Sequence, residues 1–242
     1  MISVSVVLGT ALDVYRRLWL RSVVVAGLVY AVVSLATALG DRGSTAASLV
    51  AGILSLVGSL LVQGALVEVV RDLHEGRAPA PVGEYYDRTR GRLGTLFGAS
   101  LLYGIGVAIG FVLLIVPGLI ALARWSLVVP LVMIEKCSVS EAFARSRKLV
   151  KGQTGSVLWV LIISGFFVVV AELLIHLALQ GLPLFWAVWV GGTIAGAIAG
   201  PFNAHVLTVL YYKLTEPDQL VLPPPEPPRD TWRSVWDEEP PA

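Results

Sequence analysis

The chain has 242 residues, a net charge of +1, 56% hydrophobic residues and only 14% charged ones, with a mean hydropathy of +0.78. A soluble domain holds about a quarter charged residues, so these proportions exclude a soluble globular fold, whose surface they could not cover. The net charge itself says nothing of nucleic acid; the placement of the cations beside apolar runs carries the information, and no nucleic-acid partner is expected.

In chain order, Met1 to Thr10 has no basic stretch ahead of its apolar residues and no small-residue cleavage site, so no removable signal peptide is expected. Gly9 to Arg17 follows as an amphipathic basic segment, ahead of a first span over Ser22–Leu39. Asp41-Arg42-Gly43-Ser44 predicts a tight turn, and a second span runs over Ala46–Val70. A second basic segment, Gly83 to Gly91, precedes an apolar stretch from Gly94 to Ile134. As one helix that stretch would be roughly 60 Å long, twice the hydrocarbon core. Pro117-Gly118 near its middle is a turn signal, so it divides into a hairpin of spans three and four.

The third basic segment, Ser140 to Lys148, opens with Ser138-Val139-Ser140-Glu141, a capping-box pattern, and Glu141 and Arg145 have i,i+4 spacing. Span five runs over Val157–Leu179, then a turn at Gln180-Gly181-Leu182-Pro183 leads to span six over Phe185–Tyr211. The three basic segments share a pattern and read as interfacial helices, each leading into a transmembrane hairpin. Two origins fit the repeat: an old triplication, or the basic flanks that any hairpin of this orientation acquires. The fold class is therefore all-α, with six transmembrane helices as three hairpins over residues 1–215 and a proline-rich disordered tail over 216–242.

Sixteen of the eighteen Lys and Arg residues fall on one side of these spans, Arg42 falls on the other, and Arg124 lies inside span four. The positive-inside rule then places both termini in the cytoplasm. Arg16, Arg17, Arg88, Arg90, Arg145, Arg147 and Lys148 are the candidates for contact with anionic lipid headgroups. Trp232 and Trp236 in the tail are candidates for a protein partner, against the plainer reading of a solvated linker. Cys137, the single cysteine, sits beside Lys136 at the basic border, where either acylation or an ordinary small residue fits.

Charges inside a membrane are costly and are expected to be paired. Arg124 and Glu172 fall at similar depth on consecutive spans, which predicts an Arg124–Glu172 pair; His176 lies one turn beyond Glu172. A Glu-His proton relay is the functional reading, and a static pair that fixes helix register the structural one. Gln63, Asn203 and His205 are the other polar intramembrane groups, suited to a small polar cavity or to interhelical hydrogen bonds. Glu68 and Glu135 fall near enough to the border to be solvated.

Glycines at four-residue spacing let helices approach closely: Gly192, Gly196 and Gly200 in span six, with Gly94/Gly98 and Gly106/Gly110 in span three. Their partner is another span of the chain or a second copy in a homo-oligomer. Pro130 and Pro201 predict kinks in spans four and six. No catalytic constellation, phosphate loop or metal-ligand spacing is visible, and no cofactor is expected.

Several of these residues carry a resemblance. They are Tyr15-Arg16-Arg17, Pro117-Gly118, Arg124-Trp125-Ser126, Pro130, Glu135, Ser140 to Ser146, Gly152 and Leu210-Tyr211-Tyr212. Over residues 5–215 the chain resembles the integral membrane domain attached to some bacterial glycerophosphoryl diester phosphodiesterases, which also occurs alone. It departs at Tyr212-Lys213, where an aspartate commonly follows the tyrosines, so that acid's role does not carry over. The family's phosphodiesterase activity belongs to a separate soluble barrel. The resemblance therefore implies a membrane fold without enzymatic activity. The leading functional expectation is a non-catalytic scaffold, anchor or accessory subunit. The alternative is a small transporter or channel for a lipid-like or small polar solute, and a membrane-embedded lipid enzyme comes third.

Overall fold

The computed structural model describes residues 2–40 and 43–216. Within them the chain forms α1 (Val4–Gly40), α2 (Thr45–His74), α3 (Val82–Arg90), α4 (Leu93–Leu113) and α5 (Ile115–Arg124). These are followed by α6 (Val128–Ile134), α7 (Val139–Val150), α8 (Thr154–Leu179) and α9 (Leu184–Thr215). Six stretches are long and apolar enough to cross a membrane: α1, α2, α4, α5 with α6, α8 and α9. The protein is an all-α, multi-pass membrane protein. The Asp41-Arg42 turn and the tail with Trp232 and Trp236 lie outside the described residues.

The ends of α2, α6 and α9 and the starts of α4 and α8 gather with α3 and α7 at what we call the basic end. Two of the three expected interfacial helices stand apart there, α3 and α7. The first does not: Gly9 to Arg17 runs without a break into the first span as part of α1, a rod of about 55 Å at 1.5 Å per residue. The difference lies in the residues directly after each basic segment. Gly91 ends α3 and Lys151-Gly152, with Gly152 at φ +86°, ends α7, whereas Leu18 to Arg21 contains neither Gly nor Pro to stop a helix.

The hairpin turn of spans three and four also departs from expectation. It falls at Leu114, whose extended backbone (φ −167°, ψ 154°) separates α4 from α5. Pro117 lies in the first turn of α5, where a missing N–H removes no helical bond. Gly118 serves close approach instead: a Cβ on Gly110 would lie 2.9 Å from the Gly118 Cα. Span four is then interrupted at Trp125–Leu127, ahead of Pro130 in the first turn of α6. Pro130 has no N–H for the Ser126 carbonyl, so the break replaces the kink that was expected. Pro201 lies within an unbroken α9.

The glycine stripe of α9 is used within the chain. Tyr30 of α1 packs its ring over Gly196 and Gly200, and Ser34 lies over Gly192. The Trp189 indole N–H donates to the Ala31 carbonyl at 3.1 Å, and the Tyr15 hydroxyl to that of Ile198 at 3.0 Å. Gly106 makes room for the Trp125 ring, but Gly94 has nothing within 4 Å and Gly98 only an ordinary contact with Val139. Those last two are not packing glycines.

Burial is uneven along the bundle. At the basic end Val7, Val14, Leu96, Leu127, Leu131 and Leu210 share one core, and Val25, Leu66 and Tyr85 belong to an adjoining one. The buried residues of α8 are Val157, Val160 and Ser164, all near its start. The bundle is therefore solid at its basic end and open beyond. Substituting Gly110→Ala should lower stability in detergent by about 1–3 kcal/mol, because the methyl group would meet backbone that cannot yield. Gly94→Ala in the same helix should leave it unchanged or raise it, and thermal unfolding of the two variants checks both.

Candidate functional site

Four helices converge on a cavity of about 570 Å³ in the open part of the bundle. Tyr30 comes from α1, Gln63 from α2, Glu172 and His176 from α8, and Asn203 from α9, while Gly192, Gly196 and Gly200 form one wall. The stripe Val168, Glu172 and Ile175/His176 recurs at helical spacing, so one face of α8 turns both ionisable groups inward. A second cavity of about 410 Å³ shares Gln63 and Asn203 with the first and reaches Ser100, Tyr103 and Ser126 between α4, α6 and α8. The two meet near mid-bundle, above the solid core.

The structure thus brings Gln63, Glu172, His176 and Asn203 together, and leaves Arg124 and His205 out. His205 is fully buried between α9 and α1, with Nε2 3.2 Å from the Ser22 hydroxyl and Nδ1 without a hydrogen-bond partner among the described residues. The Arg124–Glu172 pair does not form: among the described residues no carboxylate lies in ion-pair range of Arg124, and no cation in range of Glu172. Arg124 ends α5, and its carbonyl accepts from the Ser146 hydroxyl of α7 at 2.7 Å. That bond ties it to an amphipathic basic helix, while Glu172 faces α1 and α9. Tyr30 was not among the expected residues because its hydroxyl sits on a ring that reads as apolar, and only the packing puts it opposite the glycine stripe.

At the basic end Glu68 is not solvated as expected, whereas Glu135 stays partly exposed. Glu68 and Asp72, one turn apart on α2, have side chains only 6% and 3% exposed. Buried carboxylates require partners. Arg88 of α3 supplies one, 3.1 Å from Asp72, 3.6 Å from Glu68 and 2.6 Å from Glu84. Hydrogen bonding to Glu84, and then to Asp72, holds its guanidinium above the ordinary range. Arg88 therefore spends its charge inside the protein rather than on a lipid surface. Arg145, though exposed, lies 3.3 Å from Glu135 and does not pair with Glu141 as its spacing suggested. The Glu141 carboxylate instead accepts from the Ser138 N–H at 2.9 Å and hydroxyl at 2.7 Å. Arg90 meets Asp87 only at 3.9 Å, both exposed.

Residues 124–146 and the end of α9 pack together. Trp125 meets Phe143 edge to face at 5.3 Å, Ser146 bonds Arg124, and Glu135 receives both Arg145 and the Tyr211 hydroxyl, at 3.0 Å. No group of three or more His, Cys, Asp or Glu suited to a metal occurs among the described residues. The chain matches no protein-family model, no curated protein and no solved structure.

Two carboxyls at the basic end set an acid limit on stability. Burial alone would raise Glu75, but the hydrogen bond from Arg71 and the charges of Arg71, Arg77 and His74 bring it below its ordinary value. Hydrogen bonds from Ser138 lower Glu141. A depressed folded value stabilises fully above the unfolded value near pH 4.3 and is lost as pH falls through the folded one. The melting temperature should thus be insensitive to these groups from pH 8 to 5 and fall below about pH 4. Glu75→Gln with Glu141→Gln should lower it at neutral pH and blunt the acid decline.

Proposed function

We propose that the chain is a non-catalytic membrane protein that binds a small polar or lipid-like solute in the cavity around Glu172 and provides a route for it. One observation carries this reading. A carboxylate at membrane depth, accessible and without a protein cation among the described residues, faces a concavity with Tyr30, Gln63, His176 and Asn203. An intramembrane carboxylate left against hydrocarbon is costly, so such a group implies water, a proton or a polar ligand beside it. Transport sites commonly join polar groups from several helices within the membrane. By the positive-inside rule the basic end faces the cytoplasm of a bacterial plasma membrane, and the cavity lies toward the outside.

The scaffold or accessory reading rests on a different surface. Arg147 and Lys148 of α7 and Arg16 of α1 are exposed, and such cations suit anionic lipid headgroups. The resemblance to the phosphodiesterase membrane domain fits either role, since it implies a membrane fold and no enzymatic activity.

Reconstitution into liposomes separates the two. The cavity reading expects flux of a headgroup-labelled fluorescent phospholipid or of a small polar solute such as glycerol above protein-free vesicles. It expects Glu172→Gln to reduce that flux at least tenfold at unchanged melting temperature. Absent flux, or a Glu172→Gln variant that loses only stability, returns the scaffold reading to first place.

A further inference from the structure

The basic end holds a cavity of a different kind, of about 460 Å³, between α2, α3, the start of α4 and the α6–α7 connection. Arg71, Arg77, Arg88, Arg92 and Lys136 line it, with Glu68 as its single carboxylate. Three of the arginines are already engaged. Arg71 lies 2.8 Å from Glu75 and 3.5 Å from Glu68, Arg77 meets Asp72 and Glu75, and Arg88 meets Asp72, Glu68 and Glu84. Among the described residues, Arg92 and Lys136 have no carboxylate in range. The Arg92 guanidinium donates instead to the Lys136 carbonyl, at 2.9 Å.

That bond ties the Arg92 side chain to the Lys136 backbone, and both residues line the cavity. Lys136 also holds φ +55°, the one non-glycine residue with positive φ among the described residues. Glycine takes this conformation freely and lysine does not. The connection could be made more easily without a side chain, and the residue that stands there is a cation lining the pocket. A guanidinium carries five N–H donors, so arginines engaged on one side still present donors to the cavity. Several forks and an ammonium converging on one concavity match an anion with three or more oxygens better than a carboxylate with two.

We propose that this pocket binds a phosphate-bearing anion, held chiefly by Arg92 and Lys136 and completed by the outer N–H groups of Arg71, Arg77 and Arg88. A phospholipid headgroup and a soluble phosphate share that chemistry. The site is separate from the Glu172 cavity and does not depend on the role proposed for it.

Calorimetric titration of the full-length protein in uncharged maltoside detergent tests this with two probes, dihexanoyl phosphatidic acid below its micelle concentration and inorganic phosphate. Saturable one-to-one binding is expected with at least one of them. Binding of the lipid alone identifies a headgroup site, and binding of phosphate, alone or as well, a site for soluble phosphate compounds. Arg92→Ala with Lys136→Ala should weaken binding at least tenfold. Lys136→Gly, which removes the ammonium and relieves the backbone, should weaken it while melting no lower than the parent. Arg147→Ala with Lys148→Ala, exposed on α7, should leave it unchanged. Neither probe binding saturably, or an equal loss in the α7 variant, overturns the proposal.

Discussion

The ring of Tyr30 lying over Gly196 and Gly200 is the contact on which the open half of the bundle depends. Three glycines remove the side chains that would hold α9 away from α1, and the tyrosine fills the trough they leave. The same ring and the same glycines then become a wall of the cavity. The close packing of α9 on α1 and the cavity beside it thus share the same glycine stripe. Bonds from Tyr15 to Ile198 and from Trp189 to Ala31 hold the two helices in register on either side of that contact.

Uneven burial gives the two halves different charge chemistry. At the basic end, carboxylates on α2 are desolvated by the core and held by arginines from neighbouring segments, so Glu68 and Asp72 fasten α3 to α2. Such pairs contribute little net energy, because desolvation offsets attraction, but breaking one leaves a costly bare charge. They make the α2–α3 geometry specific. In the open half, no cation among the described residues approaches Glu172, and the cost of its charge falls on whatever occupies the cavity. The acids of the basic end are matched by arginines, and Glu172 in the open half has no such partner among the described residues.

Much of the architecture is legible in the sequence, since apolar length, with the turn signals between the runs, sets the number of spans. What composition could not show was where a helix ends. Gly9–Arg17 has the same polarity as the segments that became α3 and α7, yet it continues into α1 because no glycine or proline stands directly after it. Lateral position was hidden for a related reason. Depth arithmetic on straight helices put Arg124 level with Glu172, but it could not foresee the break at Trp125–Leu127 or the bond to Ser146. Equal depth does not make neighbours. The cavity residues Gln63, Glu172, His176 and Asn203 stood out as polar groups in apolar runs, whereas Tyr30 needed the packing itself to be seen.

The space around Glu172 must be polar and reachable at membrane depth if the cavity is a route. The lone Cys137 allows a clean probe. In a Cys137→Ser background, Asn203→Cys at the cavity floor is compared with Leu174→Cys on the exposed face of α8, using a water-soluble thiol reagent on reconstituted protein. The expected result is rapid labelling of Asn203→Cys and none of Leu174→Cys, with prior Glu172→Gln leaving access intact. Equal inertness at both positions would contradict it, because the cavity would then be closed or filled by lipid.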